Sequence, residues 1–479
     1  MLDLRSLEKL RPCGRLETFS TTRHHLGFYK NVGFTAEYGT QGNLEMPLES
    51  QVYIALRHVI AQHPALSAIA LNEDQSYPDV YFARLPEIDL RTCTEFHNRK
   101  CPFPEDGEAD DELDELLAQQ HSRDFKENLG SRPFWRLLVT RLSPDTCRFT
   151  ATWTWHHALA DGTSALLFHE SFLAGLNSIQ MTISMDPVII TPQQALLPPF
   201  EELHPMPISW YFFSKTILNT LLAPIYAIAS EKLWTGNPVP EDVTTLLKPR
   251  FLTVVLSKAN TSILVQVCRE EKTSVTATLQ CLLAASLFAN LPAEECKRLR
   301  IDGPISARRF LNIGKKQMTS AITQYEFFHD RPTSTGGPAT DILQNFSWET
   351  SRAVKSTIAA EVAKSGTDNP VALLKYVSSM PQFLLGMLGK PRKPTAELSN
   401  VGIWPNTKDE KSIWSVGRMV FSQSPNVVAS AFALSVVTGG DGNATLNFSW
   451  PEGAVEDGLM QEVANCVRDS VERLVNRDG

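Results

Sequence analysis

The chain has 479 residues, of which 43% are hydrophobic and 20% charged. That is too long for one ordinary core and suits two of about 200 residues each. A net charge of −8, with no lysine or arginine stripe, excludes a nucleic-acid binder, which needs a basic face against phosphate.

In chain order, Met1 to Cys13 holds charges throughout and lacks an apolar signal core, so the expectation is a cytoplasmic protein. The eight cysteines (Cys13, Cys93, Cys101, Cys147, Cys268, Cys281, Cys296 and Cys466) make no CxxC pair and no zinc spacing with histidine. They read as reduced thiols, several of them buried, and no metal is predicted. An extended segment leads to a helix from Leu48 to Gln62, ended by His63-Pro64. From Glu105 to Glu115 the acids come with no basic residue among them. Self-repulsion predicts a solvated loop or the acidic first turn of a helix.

Arg148 to Trp155 alternates, with Phe149, Ala151, Trp153 and Trp155 on one side and Thr150, Thr152 and Thr154 on the other. That is the period of a half-buried strand. His156, His157, Ala158, Leu159, Ala160, Asp161 and Gly162 follow, and Thr163 to Leu176 reads as a helix. The histidines therefore stand in a tight turn between strand and helix, with Gly162 supplying a residue that tolerates φ > 0. A neutral imidazole there can take a proton from an alcohol near pH 7 and return it later.

Residues 178–250 are proline-rich and suit a crossover. Inside this run, Ile208 to Ala229 is largely apolar but broken by Lys215, Asn219 and Pro224, too interrupted to span a bilayer. It reads either as a buried connector or as a surface-seeking amphipathic segment. Phe251 to Leu256 reads as a strand and Thr273 to Leu291 as a helix. Ser430 to Thr438 and Ala444 to Trp450 are strands around a Gly439–Asn443 hairpin turn, and Val455 to Val475 is a helix with one apolar stripe. The expectation is α/β architecture with mixed sheets: a first domain over 1–205, a linker over 206–250 and a second domain over 251–479.

The His-His-x-x-x-Asp-Gly element recurs in the superfamily of chloramphenicol acetyltransferase, the plant BAHD acyltransferases and peptide-synthetase condensation domains. The chain further resembles the fungal alcohol acetyltransferases. Arg23 to Asn31 is similar to that family's opening segment, and Leu398 to Gly402 to its Ser-Asn-x-Gly element. Phe421-Ser422-Gln423-Ser424 stands where the plant enzymes carry Asp-Phe-Gly-Trp-Gly, and the absence of that motif points to the fungal branch. The resemblance implies two chloramphenicol-acetyltransferase-like domains, each a mixed sheet flanked by helices, with a tunnel at their interface. It implies direct transfer of an acetyl or other short acyl group from acyl-CoA, a co-substrate and not a bound cofactor, to an alcohol, in secondary metabolism. By the same resemblance His157 is the general base and His156 a supporting neighbour. Asp161 orients the turn by pairing with Arg308 or Arg309.

A direct transfer needs no covalent intermediate. The chain has no Gly-x-Ser-x-Gly elbow and no Cys placed as a nucleophile beside His. The tetrahedral oxyanion needs a donor, for which Ser422, Gln423, Asn400 and Ser399 are candidates beside their reading as ordinary hydrogen bonders. Coenzyme A needs a local basic patch, for which Lys315-Lys316 and Arg308-Arg309 are candidates. Trp153, Trp155 and Phe168 lean toward a small apolar alcohol. The remaining expectations are a monomer with no nucleic-acid partner. Peripheral contact would fall on the cytosolic face of the endoplasmic reticulum or on lipid droplets. The rival readings are an acyl-CoA thioesterase or esterase using the same His157, a catalytically inactive binding homologue, and an enzyme fed by a carrier protein.

Overall fold

A computed structural model describes residues 3–42, 46–143, 147–178, 186–218, 233–242, 248–333, 342–405 and 412–476. Two mixed sheets organise them. The five-stranded sheet runs, from edge to edge, Trp414–Gln423, Val32–Thr40, Arg148–Trp155, Trp135–Arg141 and Thr94–Asn98. The six-stranded sheet runs Pro249–Leu256, Ala444–Pro451, Phe432–Thr438, Ala396–Ile403, Arg298–Ser306 and Ile322–Asp330. The first is antiparallel except where Thr94–Asn98 meets Trp135–Arg141. The second is parallel on both sides of Ala396–Ile403.

The division expected near residues 205 and 250 is crossed by a strand. Trp414–Gln423 comes from the C-terminal half yet pairs antiparallel with Val32–Thr40, setting Ser422 opposite Gly33 and Gln423 opposite Val32. The edge of the first sheet is thus made by the second half of the chain.

The alternating strand Arg148–Trp155 is buried on both faces beyond its first residue, not half-buried. Two of its threonines bond within the sheet, Thr150 with Thr140 at 2.6 Å and Thr152 with Thr35 at 2.8 Å, while the buried Thr154 hydroxyl meets no partner among the described residues. Helices Leu48–Gln62 and Gly162–Asn177 pack on one another beside this sheet. Helix Val275–Asn290 is buried along most of its length. The final helix, Asp457–Val475, faces it with Met460, Val463, Val467, Val471 and Leu474.

A helix not foreseen, Arg15–His25, stands where an extended segment was expected. Its buried residues include Thr18, Thr21, Thr22, Arg23 and His24, so no apolar period marks it. The acidic run supplies the acidic first turn of a helix, the second of its two readings, with Asp111, Glu112 and Asp114 in that turn. Asp110 caps helix Asp111–Ser122 and pairs with Arg99 at 2.7 Å. Asp114 accepts from the backbone N–H (2.8 Å) and hydroxyl (2.6 Å) of Thr253, tying the two sheets' elements together. Burial pushes its carboxyl up to about 7. Of the apolar stretch Ile208–Ala229, residues 219–229 lie outside the described residues. Residues 210–218 are helical, with Trp210 85% and Tyr211 74% exposed, so a buried connector is wrong for this part. Among the described residues no helix is long and apolar enough to cross a membrane.

Gly175 marks the tightest point between the paired helices. A Cβ there would lie 2.8 Å from Ala55 Cα and 3.1 Å from Ala55 O. Backbone cannot move aside as a side chain can, so the clash outweighs the helix propensity alanine adds, worth about 0.5–1 kcal/mol. Gly175→Ala is expected to destabilise by about 1–3 kcal/mol, read as a shifted denaturant midpoint; a more stable variant would show the helices free to separate.

Candidate active site

The His-His turn leaves strand Arg148–Trp155 and enters helix Gly162–Asn177. Asp161 is the N-cap, its Oδ1 accepting from Ser164 N at 2.9 Å. The same carboxylate receives Arg308, through Nη2 at 2.9 Å and Nε at 3.3 Å, and the N–H of Ala321 at 3.3 Å. Arg308 also donates to the carbonyls of Gln317 (2.8 Å) and Thr319 (2.7 Å). Arg308 is thus the partner of Asp161, while Arg309 is exposed and plays no part. Gly162 does not adopt positive φ. It is needed for proximity instead, because a Cβ would lie 2.8 Å from Val401 Cγ1 and 3.3 Å from Phe421 Cζ.

The turn orients His157. Its Nδ1 lies 3.1 Å from the carbonyl of Ala160. A carbonyl only accepts, so Nδ1 carries the proton and Nε2 keeps its lone pair. Burial, reinforced by the Arg23 guanidinium, pulls this imidazole down to about 4. It is neutral at neutral pH.

His156 points elsewhere and does not set His157's tautomer. It packs against His24, ring centroids 4.4 Å apart, and both face Glu73. His24 Nε2 accepts from Phe125 N–H at 3.1 Å and His156 Nδ1 from Ala158 N–H at 3.0 Å. Both rings therefore hold their protons on the inner nitrogens, Nδ1 of His24 at 2.7 Å and Nε2 of His156 at 2.9 Å from the carboxylate. Burial opposes ionisation of Glu73, but the two histidines outweigh it and lower its pKa. The trio has the composition of a metal site. Its inner nitrogens offer no lone pair, so it does not fit one. It is a buried brace behind the His157 turn.

His157 lines a cavity of about 270 Å³ between the two sheets, just under the roughly 300–1,000 Å³ usual for small-molecule sites. Ser399 and Gln423 also line it. Ser422 and Asn400 do not, because side chains alternate along a strand. Ser422 is fully buried on the far face, 2.8 Å from His121 Nε2. His121 donates from Nδ1 to Asn31 Oδ1, so its Nε2 accepts the Ser422 proton and leaves none for an oxyanion. Asn400 donates to Thr276 Oγ1 at 3.0 Å and accepts from Gly402 N–H at 2.9 Å. Lys315 and Lys316 are exposed and outside the lining. Trp153, Trp155 and Phe168 stack on one another in the core, with centroids 4.1 and 4.4 Å apart, and say nothing about the substrate.

Four cavity residues escaped the sequence. Tyr29 stands 5.6 Å, centroid to centroid, from His157 and donates to Gln423 Oε1 at 2.9 Å. Ser424 accepts from Lys30 N–H (2.9 Å) and Asn31 N–H (3.1 Å), and its own proton meets no acceptor among the described residues. Arg23 and Glu397 complete the polar wall. Only the position of Arg23 and Tyr29 in the family-like Arg23–Asn31 segment, and of Ser424 beside Gln423, could have flagged them. A second cavity shares Ser424, Pro425 and Pro451 with the first and carries Lys30 and Lys126 in its wall.

The family model for alcohol acetyltransferase matches residues 103–465. The probable alcohol acetyltransferase crmB of Aspergillus fumigatus is 36% identical over 469 residues, 95% of this chain and 97% of that protein. FCK4 of Fusarium pseudograminearum, a probable alcohol acetyltransferase, is 24% identical, covering 97% of this chain and 94% of that protein. Among solved structures, the TRI3 trichothecene 15-O-acetyltransferase of Fusarium sporotrichioides superposes with a TM-score of 0.71 at 12% identity, covering 99% of this chain and 98% of that one. The first condensation domain of the calcium-dependent antibiotic synthetase gives 0.62 at 12% identity, covering 100% and 98%. These structures share the two-lobed, chloramphenicol-acetyltransferase-like fold described above.

Removing Arg308 would leave a buried carboxylate without its cation. Arg308→Met is expected to cost about 3–5 kcal/mol of stability by denaturant unfolding. Asp161→Asn, which still caps the helix, should cost less. Equal losses would mean that the ion pair, lost in both variants while the cap is kept, carries the whole effect and that Arg308's bonds to the Gln317 and Thr319 carbonyls add nothing.

Proposed function

The chain belongs to the alcohol acetyltransferase family and is an acyltransferase, and from that premise we propose that it moves an acetyl group from acetyl-CoA to an alcohol with His157 as general base. One observation supports this above all: a neutral imidazole whose Nδ1–H is anchored to Ala160 and whose Nε2 lone pair has no partner among the described residues, in the wall of a cavity.

The acceptor hydroxyl gives its proton to His157 Nε2 as its oxygen attacks the thioester carbonyl. The tetrahedral intermediate places negative charge on the former carbonyl oxygen. Ser424 has an uncommitted hydroxyl proton, and Gln423 has a second amide N–H beyond the one given to Ser435 at 3.0 Å. Either can donate to that oxygen, as can Ser399. Collapse expels the coenzyme A thiolate, which takes the proton back from His157 and leaves the ester. Coenzyme A would reach the site by the adjoining cavity, where Lys30 and Lys126 stand. The two cavities sharing Ser424 support an approach to His157 from two directions.

General-base catalysis is worth roughly 10²–10⁴ in rate. His157→Ala is expected to lower kcat/KM for acetyl transfer by about 10³ with an unchanged circular dichroism spectrum. Turnover within a few fold of wild type would refute the role. Thioester cleavage at the same rate without any alcohol would favour hydrolysis.

The pH dependence carries a sign. His157 titrates near 4, below the ordinary 6.5, so the base form persists on acidification through 6.5 and is lost only as pH falls through about 4. The acid limb of kcat/KM, measured within seconds of a pH jump, is expected near 4. A limb near 6.5 would show the imidazole to be solvated.

The exposed pair Trp210 and Tyr211 supports a second proposal, peripheral contact with a lipid surface. Wild type is expected to sediment with phospholipid vesicles. Trp210→Ser with Tyr211→Ser should stay in the supernatant, and equal partitioning would remove the idea.

A further inference from the structure

Arg23 reaches the catalytic cavity from the polar helix Arg15–His25 and is only 8% exposed. Its guanidinium lies over the rings of Phe19 and Tyr29, 4.3 and 4.7 Å from their centroids. It donates to Ser20 Oγ at 3.3 Å, and its buried Nε–H meets no acceptor among the described residues. No carboxylate among those residues lies within ion-pair distance of it. A guanidinium has five N–H donors, and burying it this sparsely bonded is costly.

Glu397 lines the same cavity, two residues before Ser399 on the same face of strand Ala396–Ile403. Its carboxylate makes no hydrogen bond or ion pair among the described residues. The neighbouring Asp302 is already engaged, by Arg300 through two bonds of 2.8 Å. Arg23 and Glu397 are therefore the charges left over in the wall. Burial lowers the pKa of Arg23 and raises that of Glu397, and each charge partly opposes that effect on the other. They do not touch, and His157 shares their cavity.

Building on the acetyl-transfer reading, we propose that Arg23 and Glu397 form a polar clamp for the acceptor, receiving a neutral group that both accepts and donates hydrogen bonds. A second hydroxyl or an amide, carried on the alcohol a few bonds from the hydroxyl offered to His157, has this chemistry. An arginine alone would call for a carboxylate, and a glutamate alone for an ammonium. Facing the same space, they oppose each other's pull on a charged group. A hydroxyl or amide satisfies both, accepting from Arg23 and donating to Glu397. A plain alkanol would strip both charges of water and return no hydrogen bond, the situation in which polar sites discriminate most strongly. The acceptor is thus polyfunctional, not the small apolar alcohol first expected.

The test uses the full-length enzyme, acetyl-CoA and matched acceptors of several chain lengths: linear alkanol, diol, hydroxyamide, hydroxy acid and amino alcohol. Ester or amide product is measured by mass. Wild type is expected to use the diol or hydroxyamide with kcat/KM at least about tenfold above the alkanol. Glu397→Gln and Arg23→Met should bring that ratio to within about threefold of one, mainly through acceptor KM. The KM for acetyl-CoA should move less than about threefold. Should Arg23→Met not fold, Glu397→Gln, which keeps shape and size, decides alone. A ratio near one in wild type overturns the clamp, as does a preference for the hydroxy acid or amino alcohol. So does a variant whose loss falls on acetyl-CoA KM, which would put the pair on the donor side. If wild type makes no product from any acceptor while cleaving acetyl-CoA without one, the acetyl-transfer reading falls, and the clamp with it.

Discussion

One carboxylate holds the His-His turn to the other half of the chain. Asp161 caps helix Gly162–Asn177 through Ser164, binds Arg308 from the segment after strand Arg298–Ser306, and receives the N–H of Ala321. Its own N–H donates to Thr319 O at 3.2 Å. The residues of the motif are thus fixed from two directions at once, along the chain by the helix cap and across the seam by a buried ion pair. The position of His157 inherits that rigidity, because its ring is pinned to Ala160, the residue before Asp161. Asp161 also lines the cavity, so the residue that fixes the turn stands in the wall it positions.

Burial works on His157 in two opposed ways. It lowers the imidazole's proton affinity, which weakens the base, and it keeps the base form populated across the physiological range. Arg23 adds to both effects, because a cation nearby disfavours imidazolium. Behind the turn, the His24–Glu73–His156 brace keeps every proton assigned, since each ring nitrogen has a defined donor or acceptor.

Much of this was legible from sequence, and what escaped has a physical pattern. Apolar period revealed helix Leu48–Gln62 at its observed ends, and it placed helices Gly162–Asn177, Val275–Asn290 and Asp457–Val475 to within two residues at each end. The family-like motifs pointed to His157, to Asp161 and to Arg308 or Arg309, and the structure brings Arg308 into contact with Asp161. Helix Arg15–His25 was missed because its buried side is made of threonine, arginine and histidine. A polar residue is buried when distant parts of the chain supply its partners, and no local pattern records them. Glu73 is the clearest case: its partners are His24, 49 residues back in the chain, and His156 in the motif itself.

The faces of the cavity strands show the same limit at finer scale. Sequence pointed to the right segments, Leu398–Gly402 and Phe421–Ser424, but could not say which alternate residues face the cavity. Pairing puts Gln423 in and Ser422 out, and Ser399 in and Asn400 out. Strand side chains have a period of two, so a slip of one residue would exchange each pair. The phase is set by irregularities that only pairing reveals, a register shift between Val416 and Met419 and another between Asn400 and Ile403. Had the Val416–Met419 shift been one residue longer or shorter, Ser422 would face the cavity and Gln423 would meet His121. The polar lining of the cavity and the partner of Tyr29 are therefore chosen by backbone register before side-chain chemistry has any say.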